Sequence, residues 1–188
     1  MKDVFTTGEA ARICGLSKQT IIQCFDSGTM EGFLVPGSRF RRIPKDSLIK
    51  FMRENNIPLE RLDRPRKKIL VADREQGIVD MLKDVLERDF RFEARTALTG
   101  QEAIRLAEEW KPDLAVLDCT FPDMSAATVC NALRTNPTLR DIPIIVEGGQ
   151  LYRKDLVQKF ADLKVKAFVD TPFRLDEMVA KIAELLHV

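Results

Sequence analysis

Two short apolar stretches, residues 69–73 and 113–118, each end on an aspartate, Asp73 and Asp118. Apolar runs of this length are typical of buried parallel strands, and α/β sheets carry their chemistry where such strands end. Two neighbouring strands would therefore bring both carboxylates into one acidic pocket. Because Mg²⁺ takes oxygen ligands, this arrangement predicts a candidate Mg²⁺ site.

The elements that must position these aspartates alternate five times between strand and helix. Strands are predicted near 68–73, 91–96, 113–118, 142–147 and 165–170, and helices near 76–88, 99–110, 124–134, 151–163 and 175–187. Five such units in about 120 residues predict an α/β fold, a doubly wound five-stranded parallel sheet of the flavodoxin-like kind.

The near-neutral total charge hides two regions of opposite sign. Residues 1–68 contain 14 Lys and Arg against 8 Asp and Glu, whereas the remainder contains 16 against 21. A basic region joined to an acidic one indicates a polyanion-binding module attached to a different domain. We therefore expect a small domain over residues 1–60, a linker over 61–67 and the α/β domain over 68–188.

Cysteine usage and hydropathy narrow the class of protein. The four cysteines form no C-x-x-C pair and lack histidine partners, which predicts reduced thiols in a cytoplasmic protein. No apolar stretch approaches the roughly 20 residues that span a bilayer, so no membrane association is expected.

The small domain begins with signals for two short helices. Thr6 and Glu9 have the capping-box spacing that starts a first helix. Gly15 ends that helix, and Ser17 can cap the next one. Two short helices joined by a glycine turn are a helix-turn-helix.

A hairpin, named the wing here, follows over residues 33–43. Its strands flank a Pro-Gly-Ser turn, and Pro44 opens a third helix. Phe40 alternates with arginines, so we expect it to pack into the core beneath the wing. This arrangement resembles the winged helix-turn-helix of the excisionase and MerR-like DNA-binding families.

That resemblance implies binding to double-stranded DNA, and the residue types agree with it. The start of the second helix offers side chains suited to base edges, and the wing offers arginines suited to phosphates or a minor groove. The predicted DNA-binding residues are Ser17, Lys18, Gln19, Thr20, Gln23, Arg39, Arg41 and Arg42. Two such domains in a dimer should bind far more tightly than one.

The larger region resembles the receiver domain of bacterial two-component response regulators along nearly its whole length. The stretches that carry this resemblance are 69–75, 118–124, 141–145 and 167–173. In that family, phosphate passes from a sensor histidine kinase to an aspartate beside Mg²⁺. The resemblance implies Asp118 as phosphoacceptor, and Asp73, Asp118 and the backbone carbonyl of Thr120 as Mg²⁺ ligands.

Several positions depart from the family's pattern. Arg74 stands where a second acid of the metal site is expected, Gly148 where a hydroxyl residue is expected, and Thr171 where a lysine is expected. Of the switch positions Gly148, Phe168 and Thr171, only Phe168 keeps its aromatic character. The metal site is therefore weakened.

Two interpretations of this domain stay open. In the first, Asp118 is phosphorylated slowly and Arg74 pairs the phosphate. In the second, a pseudo-receiver serves dimerisation or partner docking without phosphate. The resemblance places the family's dimer face on the fourth helix, fifth strand and fifth helix, with charged or polar residues at Tyr152, Arg153, Lys154, Asp155, Lys181 and Glu184.

Together these patterns predict a dimeric transcription regulator of the response-regulator type, part of a two-component phosphorelay. It is not expected to be an enzyme, since His187 is the only histidine and no P-loop is present. The alternative is a signalling adaptor that binds no DNA and acts through protein–protein contacts. A phosphate sink that competes for a kinase is a third, weaker interpretation.

Overall fold

The computed structural model of the chain describes residues 3–63, 65–149 and 160–188. Two compact units are present, one of Met1–Pro65 with Arg88–Arg91 and one of Arg66–Glu87 with Phe92–Val188. Each unit has its own hydrophobic core. Among the described residues, no helix combines the length and apolar character that crossing a bilayer requires.

The first unit combines four helices with a small antiparallel sheet of order β1-β3-β2. Its elements are β1 Val4–Thr6, α1 Thr7–Cys14, α2 Lys18–Asp26, β2 Phe33–Leu34, β3 Arg41–Pro44, α3 Lys45–Glu54 and α4 Glu60–Asp63. The strand β1 was not predicted, because three residues are too few to show an alternating pattern.

The helix boundaries of the first unit follow from local capping. Thr6 Oγ1 accepts a hydrogen bond from Glu9 N at 3.2 Å, and Thr6 N donates to Glu9 Oε2 at 2.8 Å, which completes the predicted capping box. Gly15 ends α1 with a φ of 70°, in the left-handed region. Ser17 Oγ then accepts from Thr20 N at 3.0 Å and caps α2.

The prediction that Phe40 packs beneath the wing is wrong, because its side chain is 67% exposed. Alternation along a strand determines which side chains share a face, but it does not determine whether that face is covered. At this end of the wing the shared face is open, and Phe33 is 48% exposed there as well. The Arg42 guanidinium lies 6.0 Å from the centre of the Phe40 ring.

The second unit contains the predicted parallel sheet, with strand order β5-β4-β6-β7-β8. Its elements are β4 Lys67–Ala72, α5 Gln76–Arg88, β5 Phe92–Ala97, α6 Gly100–Trp110, β6 Leu114–Asp118, α7 Ala126–Thr135, β7 Ile144–Gly149, a 3₁₀ turn Ala161–Leu163, β8 Ala167–Thr171 and α8 Leu175–Leu186. The doubly wound α/β fold is thus confirmed.

Helices cover both faces of this sheet, which explains the continuous apolar strands. One core is formed by α6 and α7, around Trp110 and Leu133, and the other by α5 and α8, around Leu82 and Ile182. Most of the predicted helix over 151–163 lies outside the described residues. The same is true of the dimer-face residues Tyr152, Arg153, Lys154 and Asp155.

The interval between the two predicted domains contains regular structure. The helix α4 ends at Asp63 and β4 begins at Lys67, both within the predicted linker 61–67. Leu62 packs against the core of the first unit. Arg64 lies outside the described residues.

Candidate functional site

Three acidic side chains meet at the carboxyl ends of adjacent strands in the second unit. Asp73 follows β4, Asp118 ends β6, and Glu147 lies in β7 directly beside Asp118. All three are buried, with exposed fractions of 3%, 5% and 2%. The structure therefore brings together the two predicted aspartates and adds a third carboxyl group.

Glu147 was not among the predicted site residues. The fourth strand was predicted over 142–147, but β7 continues through Gly148 and Gly149. Glycine usually weakens a strand, so the predicted strand ended too early. An acid at the end of a buried apolar run was the available signal, as it was for Asp118.

Backbone amides hold both aspartates in place. Glu75 N donates to Asp73 Oδ1 at 2.7 Å, and Thr120 N donates to Asp118 Oδ1 at 3.1 Å. Each carboxylate thus accepts a hydrogen bond from the amide two residues along the chain, as in an Asx turn. This local geometry keeps both side chains at the end of the sheet.

Arg74 occupies the same region as the predicted metal ligands. Its Nε lies 3.6 Å from Asp118 Oδ2, and its Nη1 lies 3.5 Å from the carbonyl oxygen of Thr120. Its side chain is 49% exposed, so the guanidinium reaches inward from the rim. Two of the three predicted Mg²⁺ ligands therefore already face a cation.

These residues do not fit Mg²⁺. A guanidinium beside Asp118 and Thr120 repels a divalent cation and lies in the space that such an ion needs. Within the part of the chain that the structure describes, no group of three or more His, Cys, Asp or Glu side chains is arranged to hold a metal ion.

Burial changes the protonation chemistry of this cluster. Burial and the hydrogen bond and charge of Asp73 raise the pKa of Glu147 to about 9, so this group is protonated at neutral pH. Burial, with a further contribution from the charge of Asp73, also raises the pKa of Asp118. Glu147 Oε1 has no hydrogen-bond partner among the described residues.

A pocket of about 870 Å³ opens above the carboxyl groups. Two of the predicted switch positions, Gly148 and Thr171, line this pocket. The third, Phe168, packs against Phe160 in the core, with ring centres 5.9 Å apart. Among the lining residues that the structure describes, Arg74 is the only basic side chain.

The predicted DNA-binding residues of α2 divide into two groups. The hydroxyl groups of Ser17 and Thr20 lie 2.8 Å apart at the start of the helix, where Ser17 forms the cap. Lys18, Gln19 and Gln23 are exposed. The first pair orders the helix start, and the other three offer polar groups to a partner.

The three predicted arginines of the wing differ in their surroundings. Arg41 donates two hydrogen bonds of 2.8 Å to the carboxylate of Asp26, which joins the wing to the end of α2. Arg42 donates to the carbonyl oxygen of Arg41 at 3.1 Å. Arg39 is exposed. No local sequence pattern indicates the pairing of Arg41 with a residue 15 positions earlier.

Comparison with known families matches both units. Residues 69–183 match the family described as the response regulator receiver domain, and residues 4–56 match a helix-turn-helix domain. The alkaline phosphatase synthesis transcriptional regulatory protein PhoP of Bacillus subtilis is 34% identical over 121 residues, 64% of this chain and 49% of that protein. The DNA-binding dual master transcriptional regulator RpaA of Synechocystis is 30% identical over 120 residues, with the same coverage. The chain spans about half the length of the curated relatives it matches.

Solved structures share the fold of the second unit. The chemotaxis response regulator CheY4 of Vibrio cholerae has a TM-score of 0.59 at 20% identity, covering 64% of this chain and 99% of that one. A putative response regulator from Chloroflexus aurantiacus has a TM-score of 0.60 at 24% identity, covering 66% and 100%. At this level of identity, the likeness establishes the fold alone.

Proposed function

This chain belongs to the response regulator receiver domain family, and from that premise we propose that it is a DNA-binding transcription regulator of the response-regulator type. The observation that carries the proposal is the helix-turn-helix match over residues 4–56, joined in one chain to a receiver domain. Both curated relatives named above are described as transcriptional regulators.

In this proposal α2 lies in the major groove of double-stranded DNA. Lys18, Gln19 and Gln23 contact base edges, since their side chains are exposed. Ser17 and Thr20 order the start of the helix, whose free backbone N–H groups face a phosphate.

The wing contributes contacts of a second kind. Arg39 and Arg42 contact phosphates or the adjacent minor groove. Arg41 acts mainly by holding the wing against α2 through Asp26, a role that differs from the direct contact predicted for it.

The receiver domain serves chiefly as a dimerising and partner-binding body in this proposal. Efficient phosphoryl transfer to Asp118 is disfavoured, because Arg74 lies against the ligands that Mg²⁺ would use. Thr171 further supplies no cation to the pocket. A sensor histidine kinase remains a proposed partner by family membership, and Asp118 remains a proposed slow phosphoacceptor whose phosphate Arg74 would pair.

A phosphorylation assay separates the two interpretations of the receiver. Purified protein is incubated with acetyl phosphate and Mg²⁺, and the intact mass is measured. We expect little phosphoryl addition. Near-stoichiometric addition of one phosphoryl group, lost in Asp118→Ala, would show instead that the receiver is chemically competent.

We expect no enzymatic activity of its own from this chain, and we propose a cytoplasmic location, which the four free cysteines support. Dimerisation through the receiver would supply the affinity that one small DNA-binding domain lacks.

Selection of genomic DNA fragments by the full-length protein at about physiological salt tests DNA binding directly. A few enriched sites with a shared motif are expected, and paired half-sites would support the dimer. The variant carrying Lys18→Ala and Gln19→Ala should lose this enrichment. Weak, salt-sensitive retention with no enriched motif would contradict the proposal.

A signalling adaptor that binds no DNA is the second candidate. The exposed apolar side chains of the wing favour it, since Phe33, Leu34 and Phe40 are 48%, 53% and 67% exposed. Such apolar surface is a common feature of protein-binding sites. The adaptor predicts that the wild-type protein binds no DNA. It also predicts that substitution of these three residues abolishes capture of a protein partner, and these two results together would distinguish the adaptor from the regulator.

A further inference from the structure

The floor of the receiver pocket presents a buried hydrogen-bond acceptor that the described residues do not satisfy. Glu147 is 2% exposed, and its Oε1 has no partner in the part of the chain that the structure describes. Beside it, the carboxylate of Asp118 forms an ion pair with Arg74, whose Nε lies 3.6 Å from Asp118 Oδ2. A buried acceptor without a donor costs free energy, so a ligand that brings N–H groups is favoured there.

The charges of the pocket favour a positive ligand. Four acidic side chains and one basic side chain lie among the described lining residues. The acids are Asp73, Glu75, Asp118 and Glu147, and the base is Arg74. With Glu147 protonated, Asp73, Glu75 and Asp118 still outnumber Arg74, and this excess of negative charge attracts a cation.

The walls of the pocket indicate an organic ligand and not a bare ion. Ile78, Met81, Phe173 and Leu175 contribute apolar surface above the acidic floor. A bare metal ion takes oxygen ligands and would use none of this apolar surface. A volume of about 870 Å³ is in the range of small-molecule sites, at the sheet end where α/β folds bind ligands.

We propose that this pocket binds a small organic cation, an ammonium or amidinium group carried on an apolar body. The N–H groups donate to Glu147 Oε1 and to the carboxylate of Asp118, while the apolar body lies against Met81 and Phe173. The guanidinium of Arg74 is displaced toward solvent, to which its side chain is already half exposed. The site goes beyond the regulator proposed above and is testable without DNA.

Calorimetry on the full-length protein tests the proposal with matched probes. Benzamidine carries an amidinium on a phenyl ring, benzamide is its neutral counterpart of nearly the same shape, and acetamidine has the cation without the ring. We expect saturable 1:1 binding of benzamidine, with both other compounds at least about tenfold weaker. Phenethylamine serves as an ammonium probe on a phenyl ring. The proposal would be overturned if benzamide bound as tightly as benzamidine, or if neither benzamidine nor phenethylamine showed saturable binding. Stoichiometric binding of Mg²⁺ that excludes benzamidine would also overturn it.

Substitutions locate the binding on the molecule. Asp118→Asn should weaken benzamidine binding at least about tenfold, because it removes the charge at the pocket floor. Asp84→Asn removes the same charge from an exposed position of α5 outside the pocket lining and should leave affinity unchanged. Arg74→Ala should strengthen binding, since it removes the competing cation, and this gain does not depend on the stability of the Asp118 variant. Equal effects of Asp118→Asn and Asp84→Asn, or weaker binding in Arg74→Ala, would contradict the site.

Discussion

The two candidate sites of this chain are built in opposite ways. Three of the DNA-binding candidates, Lys18, Gln19 and Gln23, lie within α2 and are exposed, and the start of that helix depends on local capping by Ser17. The receiver pocket draws Asp73, Asp118 and Glu147 from three strands and buries them. An exposed, local site can change its side chains at little cost to the fold, whereas a buried one couples its chemistry to stability.

This difference also bears on how each site can be altered. A single departure from the family pattern, Arg74, affects two of the predicted metal ligands at once, because Asp118 and Thr120 lie together at the end of the sheet. In α2, by contrast, Lys18 and Gln19 are exposed, so we expect that replacing one side chain leaves the other in place.

The largest effect is expected from replacing the exposed residues of α2. Lys18→Ala with Gln19→Ala should weaken binding to a selected DNA site by roughly 2–4 kcal/mol, since each base-edge or phosphate contact contributes about 1–3 kcal/mol. The free energy of unfolding should change by less than about 0.5 kcal/mol, because both side chains are exposed. Fluorescence anisotropy and urea unfolding measure the two quantities.

Lys83→Ala with Gln101→Ala is the matched control for that pair, since both residues lie in the receiver domain and the change in charge is the same. It should leave DNA affinity unaltered. A comparable loss of DNA affinity in the control would contradict the proposed site on α2. Marked destabilisation by the α2 substitutions would contradict the distinction between an exposed, local site and a buried one.

Glu147→Gln is expected to change how stability depends on pH. The folded-state pKa of Glu147 is about 9, above its ordinary value of 4.5, so folding takes up a proton between these pH values. The free energy of unfolding therefore falls as pH rises from about 5 toward 9. It falls by about 1.4 kcal/mol for each pH unit where the folded protein binds one full proton more than the unfolded protein. Gln cannot ionise, so between pH 5.5 and pH 8 the variant should gain up to about 3 kcal/mol relative to wild type.

Urea unfolding of both proteins at pH 5.5 and pH 8 measures this difference, and the other ionisable groups cancel in the comparison. The difference in stability between the two proteins should be smaller at pH 5.5 than at pH 8. Parallel stability curves for wild type and variant would mean that Glu147 is ionised in the folded protein.

Arg74→Asp should raise the affinity of the pocket for Mg²⁺ above that of the wild type. The substitution removes the cation beside Asp118 and Thr120 and adds a carboxylate where the family pattern has one. We expect at least about a tenfold gain, equivalent to about 1.4 kcal/mol, in calorimetric titration. Arg105→Asp, on the exposed face of α6, has the same change in charge and should show no gain.

The smallest effect is expected from the ion pair of the wing. Asp26→Ala removes both hydrogen bonds to Arg41, whose side chain is only 26% exposed, and should lower stability by about 0.5–1 kcal/mol. Glu31→Ala breaks the pair with Lys50, in which both side chains are more than half exposed, and should cost almost nothing. Urea unfolding measures the free energy of unfolding of the two variants. Equal decreases would show that burial does not determine how much each ion pair contributes to stability.

Sequence patterns predicted the features that local chemistry determines. The capping box of Thr6, the left-handed Gly15 and the Ser17 cap each depend on residues within four positions of one another. The alternation of strands and helices was equally readable, because both faces of the sheet are covered and the strands are continuously apolar. Sequence patterns did not predict whether other residues cover a given face of a strand. The prediction for Phe40 was wrong for that reason.

By itself, the sequence determined two units, their order, the parallel sheet and the positions of Asp73 and Asp118 at strand ends, since each follows from periodicity and turn chemistry within short windows. Only the tertiary structure decided that Glu147 joins them, that Arg74 lies against Asp118, and that Arg41 pairs with Asp26. These contacts join distant parts of the chain. Their geometry depends on strand register and side-chain burial, which no local pattern records.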